Sequence, residues 1–238
     1  MTFIMKNFFH MLRKLFFTKQ FRISYGQFGE DIPIFMIFRK RKSDRNHGFF
    51  VDVGAYHPTK WSNTFYLYKR GWRGINIDME PLKIQAFNIR RPKDINICQA
   101  ISDNKEPVKI FSHGPYTVGA TIDVQTGLER HGDIEDAQIV HPRSLTEVID
   151  DTEYKDREID YLNIDVEGHD LNVLKSLDFD RYKPKVISVE IYARDIEEVL
   201  ESEIHQYLKL KGYKYLNRVS FTSIYGLPEF IGDGMVFS

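Results

Sequence analysis

Acidic side chains follow five apolar, strand-like segments of this sequence, each at the point where the segment ends. The five positions are Asp52, Asp78, Asp103, Asp165 and Glu190. Because the parallel strands of an open sheet end at the same edge, we expect these carboxylates to line one ligand-binding crevice. Carboxylates attract ammonium groups and repel phosphate, so the crevice favours a positively charged ligand. The alternative is that these acids only complement the dipoles of the helices that follow them.

The first three strand ends have the chemistry of a nucleoside site. Gly54 allows the backbone to approach a ligand closely, and Asp52 next to it accepts a hydrogen bond from an ammonium group. An acid in the position of Asp78 accepts both hydroxyl groups of a ribose. Residues 100–102, at the end of the third segment, offer apolar side chains between which an adenine ring fits.

The turn after Gly54 lacks the glycines that hold the pyrophosphate of a dinucleotide. Tyr56, His57 and Pro58 stand where a G-x-G-x-x-G motif would continue, and the sequence has no P-loop lysine motif. S-adenosylmethionine carries a sulfonium and an amino group and no phosphate. It therefore suits the acidic crevice better than NAD or ATP does, and a nicotinamide oxidoreductase is the weakest alternative.

Strand-like and helix-like segments alternate along most of the chain, which predicts right-handed β-α-β units and a mostly parallel sheet. Core strands are predicted at residues 48–55, 73–80, 95–102, 159–168 and 183–192, with an added edge strand at 107–111. Helices are predicted at residues 61–71, 81–91, 144–151, 169–177 and 195–212. Residues 213–220 and 230–238 supply two further strands.

The composition is that of an ordinary globular protein, with 238 residues, 42% of them hydrophobic and 28% charged. The chain has 33 basic and 34 acidic residues, and this balance argues against a nucleic-acid-binding protein. Its single cysteine, Cys98, excludes an internal disulfide and a cysteine-based zinc site. A reducing compartment suits such a chain, and we expect a cytoplasmic protein.

Residues 1–23 differ from the rest because they contain five basic residues and no acid, which leaves 28 basic and 34 acidic residues in the remainder. Their apolar residues recur at helical spacing and predict an amphipathic helix. Charged residues interrupt it too often for a membrane-spanning segment. Two partners stay open: the helix packs on the domain or on a second subunit in a homodimer, or residues 1–20 lie on the anionic inner face of a membrane.

Several motifs, in this order, resemble the FkbM-type S-adenosylmethionine-dependent methyltransferases. They are SYGQFGED, GFFVDVGA, GWRGINIDMEP, DINICQAISD and IDYLNIDVEG, and the resemblance covers residues 24–220. It implies one α/β domain over residues 24–238 with the class I methyltransferase (Rossmann-like) fold. That fold is a seven-stranded sheet with helices on both faces and an antiparallel last strand. Many relatives methylate hydroxyl groups of sugars, so the resemblance implies O-methylation of a nucleotide sugar or a polysaccharide unit.

The resemblance also implies the residues that contact S-adenosylmethionine, or S-adenosylhomocysteine as the product. By position in the motifs they are Gln27, Glu30, Asp52, Gly54, Ala55, Asp78, Ala100, Ile101, Ser102, Asp165 and Glu167. This chain departs from many relatives after Ala55, where they have an asparagine and a further glycine. Ser62 or Asn63 is therefore the candidate for contacting the methionine end.

Methyl transfer to a hydroxyl group benefits from a general base, and the sequence offers several. Asp165 and His169 flank the end of the fourth core strand. His113 and Tyr116 lie in residues 112–137, which we interpret as a substrate loop. A less favoured mechanism uses Mg²⁺ bound by four acids. Those acids are Asp165, Glu167, Asp170 and Glu190.

The acceptor stays open at this stage. A glycan or a small molecule fits the polar loop, and the alternatives are a lipid, a secondary metabolite, or a nitrogen or phosphoramidate acceptor. A non-catalytic methyltransferase-like binding module is the remaining alternative, although the intact acids at the strand ends argue against it.

Overall fold

The computed structural model describes residues 2–17, 23–39, 47–110, 128 and 139–232. The strands within this part of the chain are β1 Phe49–Val53, β2 Arg73–Asp78, β3 Ile95–Cys98, β4 Val108–Lys109, β5 Ile139–Val140, β6 Tyr161–Ile164, β7 Val186–Glu190, β8 Lys214–Val219 and β9 Thr222–Gly226. The helices are α1 Thr2–Phe17, α2 Asp31–Arg39, α3 Phe65–Lys69, α4 Pro81–Arg90, α5 Leu145–Asp150, α6 Asp170–Lys175, α7 Ile196–Glu201, α8 Glu203–Leu210 and α9 Pro228–Ile231.

Seven strands form one sheet in the order β3-β2-β1-β6-β7-β9-β8. The first five run parallel, and β9 is antiparallel to both of its neighbours. The strand order reverses between β1 and β6, so right-handed connections place helices on both faces of the sheet. This is the class I methyltransferase architecture, and the prediction of an antiparallel last strand is confirmed.

The central strands are buried along their whole length because helices cover both of their faces. Every residue of β1 and β6 is buried, and most of these residues are branched or aromatic. A single hydrophobic cluster extends from Ile34 of α2 to Phe230 of α9. The strands therefore hold their carboxyl ends rigidly at one edge of the sheet, where open α/β sheets bind ligands.

The prediction of a strand at residues 230–238 is wrong for residues 230 and 231, which belong to the helix α9. The antiparallel strand is β9, which lies between the segments predicted as strands at residues 213–220 and 230–238. Its sequence, TSIYG, is buried throughout and pairs with β7, so packing and not its weak periodicity decides its conformation. Pro228 then begins the short helix α9, and residues 233–238 lie outside the described residues.

Three other predicted elements differ in extent. The helix over residues 195–212 is divided into α7 and α8, because Ser202 is extended and its side chain accepts from the backbone N–H of His205. The helix over residues 61–71 is confined to α3. The strand over residues 107–111 is the short β4, which pairs with β5 in a separate two-stranded sheet and does not extend the main sheet.

Candidate active site

A cleft opens at the carboxyl ends of β1, β2, β3 and β6. The empty space in it, counted together with its open mouth, is about 930 Å³. All the predicted cofactor contacts line it except Glu30 and Ser102. The cleft is also lined by residues without a predicted role, which are Val53, Tyr56, Trp61, Ile77, Met79, Lys83, Gln99, Asn163 and Val166.

Gly54 brings the loop after β1 into direct contact with the turn after β6. Its φ angle is +77°, and a Cβ atom at this position would lie 1.8 Å from the carbonyl oxygen of Asp165. The backbone N–H groups of Gly54 and Ala55 both donate to the carbonyl of Ile77, at 2.9 and 3.0 Å. Only glycine permits this approach, which shapes the floor of the cleft.

We expect Gly54→Ala to destabilise the protein more than Gly212→Ala. Both glycines have positive φ, but a Cβ at Gly212 would meet no atom within 4 Å. Gly212→Ala should lower the free energy of unfolding by about 1–2 kcal/mol from backbone strain alone. Gly54→Ala adds a clash worth about 1–3 kcal/mol and displaces Asp165. Chemical denaturation of both variants measures the difference, and equal losses would contradict the tight contact.

Two backbone N–H groups from neighbouring segments hold the carboxylate of Asp78 at the edge of the cleft. The carboxylate accepts from the backbone N–H of Tyr56 at 3.0 Å and from that of Glu80 at 2.9 Å. Lys83, in the first turn of α4, lies 3.6 Å away. A carboxylate has about four acceptor sites, so capacity is left for the two hydroxyl groups of a ribose. The sequence analysis missed Lys83, because a lysine in a helical first turn gives no motif signal.

Asp52 is buried in the sheet and has protein partners on both carboxylate oxygens. They accept from the Thr64 hydroxyl at 2.6 Å and from the Asn163 side-chain amide at 2.9 Å. Burial raises the pKa of this carboxyl group, although Thr64, Arg91 and Asn163 oppose the shift. Its contact with a ligand ammonium stays a prediction. What the structure shows is that Asp52 orients other residues of the cleft.

Arg91 connects the loop of the cleft to the sheet, and the sequence analysis missed it. Its side chain is fully buried and donates to the Pro58 carbonyl, the Ser62 and Thr64 hydroxyls and the Asn76 side chain, at 2.7–3.2 Å. Burial lowers the pKa of Arg91 to about 10, so the guanidinium stays charged at neutral pH. It thereby fixes the loop that carries the aromatic and polar residues of the cleft.

Among the described residues of the cleft, Asn63 is the one with a buried side-chain oxygen that lacks a hydrogen-bond donor. Its amide donates to the Asn163 side-chain oxygen at 3.2 Å, and its own oxygen Oδ1 is buried with no partner in the described structure. A buried polar atom of this kind calls for a ligand or water. The ammonium group of an amino acid fits it, so the residues present suit the methionine end of S-adenosylmethionine. Ser62 is engaged by Arg91 instead.

A smaller hollow adjoins the cleft and is partly separated from it. The two share Gln27, Trp61, Asn63 and Asp165. The other residues that line this acidic hollow are Phe28, Glu30, Glu190, Phe221 and Thr222. Its carboxylates come from three separate elements, and the rings of Phe28, Trp61 and Phe221 are exposed. A ligand rich in hydrogen-bond donors would therefore meet carboxylates within the hollow and aromatic rings on its exposed side.

Two carboxyl groups of the acidic hollow, those of Glu30 and Asp165, are harder to ionise than ordinary ones. Burial raises the pKa of Glu30. Burial, together with the neighbouring Glu190 and Glu167, holds the pKa of Asp165 well above its usual range. Such groups are stronger proton acceptors than a solvated carboxylate once they are ionised.

Comparison with known families identifies the chain. A sequence model described as the methyltransferase FkbM domain matches residues 52–215, more than two thirds of the chain. The chain belongs to the FkbM methyltransferase family. It is therefore an S-adenosylmethionine-dependent methyltransferase, as the motifs predict. No curated protein sequence matches it.

Two solved structures resemble this FkbM methyltransferase remotely. A TehB-like SAM-dependent methyltransferase from Corynebacterium glutamicum is 11% identical, with a TM-score of 0.42 over 93% of this chain and 97% of the other. A candidate rRNA methylase from Clostridium thermocellum is 10% identical, with a TM-score of 0.38 over 86% of this chain and 97% of the other. Neither likeness says anything about the substrate of this chain.

The structure describes two of the four predicted general bases of the FkbM methyltransferase, Asp165 and His169, and both line the cleft. Asp165 lines both the cleft and the acidic hollow. His169 lines the cleft, where its Nε2 lies 2.9 Å from the Ser102 hydroxyl, beside the predicted adenine wall. His113 and Tyr116 lie outside the described residues. Of the two candidates that the structure describes, only Asp165 borders both spaces.

Two of the four acids suggested for Mg²⁺ have other contacts. Asp170 accepts from the backbone N–H groups of Val166 and Gly168, at 3.3 and 3.1 Å, and so closes the turn after β6. Glu167 accepts from the Tyr192 hydroxyl at 2.8 Å. In the part of the chain that the structure describes, no three His, Cys, Asp or Glu side chains are grouped so as to hold a metal ion.

Proposed function

We propose that this FkbM methyltransferase methylates a hydroxyl group of a sugar, presented as a nucleotide sugar or as a glycan unit. The observation that supports this acceptor is the acidic hollow beside the cleft. Carboxylates accept hydrogen bonds from hydroxyl groups, and three of them, Glu30, Asp165 and Glu190, line this hollow. The exposed rings of Trp61 and Phe221 offer flat apolar surfaces, against which the C–H face of a sugar ring packs.

The cofactor contacts follow from the cleft. Asp78 would hold the ribose, Ala100 and Ile101 the adenine, and the oxygen of Asn63 the amino group. S-adenosylmethionine, when bound, supplies an activated methyl group on a sulfonium. The side chains named here orient the two reactants, and positioning of this kind can contribute several kcal/mol to the reaction.

Asp165 is the proposed general base. It lies at the boundary of the cleft and the acidic hollow, where an acceptor hydroxyl would have to sit. Its ionised carboxylate takes the hydroxyl proton, and its raised pKa makes it a better match to an alcohol than an ordinary aspartate is. Glu190 and Glu30 then hold the neighbouring hydroxyl groups of the acceptor by accepting their hydrogen bonds.

A pair of matched acceptors tests the proposal. The purified chain is incubated with S-adenosylmethionine labelled in the methyl group and with two nucleotide sugars. The sugar of the first carries only hydroxyl groups, and the sugar of the second has an amino group in place of one hydroxyl. We expect label in a methyl ether at a hydroxyl oxygen of both sugars, detected by mass spectrometry of the products. Label on the amine alone would show a nitrogen acceptor, and label only on added lipid extracts would show a lipid acceptor; either result would contradict the proposal.

A further inference from the structure

The helix α1 exposes its apolar residues to solvent. Met5, Phe8, Phe9, Met11 and Leu15 are each half or more exposed. Soluble proteins rarely display a cluster of large apolar side chains without a binding partner. At 100° per residue, these five positions occupy one continuous side of the helix. The exposed side is therefore one apolar surface rather than a set of scattered residues.

The other side of α1 is basic. Lys6, Arg13 and Lys14 all project on the side of the helix away from the apolar surface. The sequence has no acidic residue before Glu30. A partner for this helix must accordingly be apolar within and anionic at its surface.

We propose that α1 binds the surface of an anionic lipid bilayer and lies in the plane of the membrane. A helix of 16 residues is about 24 Å long, shorter than the ~30 Å hydrocarbon core, and three cations interrupt it. None of the helices in the described residues is long and apolar enough to cross a bilayer. Apolar side chains entering the acyl boundary with cations at the headgroups are the known geometry of interfacial helices. A second copy of α1 would bring more positive charge to the same face.

Vesicle co-sedimentation of the full chain tests this proposal. We expect binding to vesicles of phosphatidylcholine with about one third phosphatidylglycerol, and much weaker binding to phosphatidylcholine alone. Binding should fall as salt is raised from 0.1 to 1 M, where the Debye length shortens from about 10 to about 3 Å. The double variant Arg13→Gln/Lys14→Gln should bind the anionic vesicles about 30-fold more weakly.

Two exposed leucines provide the apolar variant and its control. Leu15 in α1 is 70% exposed and Leu210 in α8 is 87% exposed. Leu15→Ser should weaken vesicle binding by about tenfold or more, and Leu210→Ser should leave it unchanged. The proposal is overturned by absence of binding, by equal binding to neutral vesicles, or by equal effects of the two substitutions. It is also overturned if Leu15→Ser only dissociates a dimer, measured by light scattering without lipid.

Discussion

Asp165→Asn is expected to reduce the rate of methyl transfer by about 10²–10⁴-fold while S-adenosylhomocysteine still binds. The amide keeps the shape of the carboxyl group but cannot take a proton from the acceptor hydroxyl. The raised pKa of Asp165 also predicts the pH dependence. The base works when ionised, so wild-type kcat/KM should rise with pH through a value well above the ~4 of an ordinary aspartate. Initial rates over a pH series, with calorimetric binding at each end, measure both effects.

Asp103→Asn is the matched control for this experiment. Asp103 also follows a core strand, but it is exposed and bonded to Asn172 at 2.9 Å, outside the cleft and the acidic hollow. Its substitution should leave the rate and the pH profile unchanged. If Asp165→Asn keeps the wild-type rate and the same fall in kcat/KM at low pH, another group takes the proton. His169 and the residues 112–137 are then the next candidates for the general base.

Arg91→Met is expected to lower the free energy of unfolding by about 3–5 kcal/mol, because it removes a buried cation and leaves its partners without a donor. Methionine fills much of the same volume, so lost packing contributes little. The released loop carries Trp61 and Asn63, and S-adenosylhomocysteine should therefore bind more weakly as well. Urea denaturation measures the stability, and calorimetry measures the binding.

The neighbouring Arg90 gives the control. It is exposed at the end of α4, so Arg90→Met should change the stability by less than about 0.5 kcal/mol. Arg91→Lys serves if Arg91→Met does not fold, because lysine keeps the positive charge but cannot reach all four acceptors. Comparable stability of Arg91→Met and Arg90→Met would show that the buried network does not hold the loop.

The sequence predicts the parallel part of the fold and the edge that carries the site. Apolar strand segments that end in acids are strong signals, because both the burial of β1 and β6 and the crevice beyond their carboxyl ends follow from chain topology. Asp78, the proposed ribose acid, is recognisable from its position at the end of a strand. Its predicted place at the edge of the cleft is where the structure shows it.

The buried polar contacts beneath the site are not readable from the sequence. Asp52, Asn76, Asn163 and Ser188 face one another across adjacent strands, and strand register brings them into contact. Nothing local distinguishes Asp52, which holds Asn163, from an acid that faces a ligand. Arg91 follows a helix and looks like a surface residue until α4 packs on the sheet. The position of β9 likewise depends on pairing with β7, a contact distant in sequence.

Calorimetric titration of the wild-type chain with S-adenosylmethionine, S-adenosylhomocysteine and NAD tests the account most directly. The acidic cleft, the carboxylate of Asp78 proposed to hold the ribose, and the unmet oxygen of Asn63 predict saturable binding of the first two ligands and none of NAD. Binding of NAD, or binding of no ligand by a chain that unfolds cooperatively, would contradict a working methyl-donor site at the carboxyl edge of this sheet.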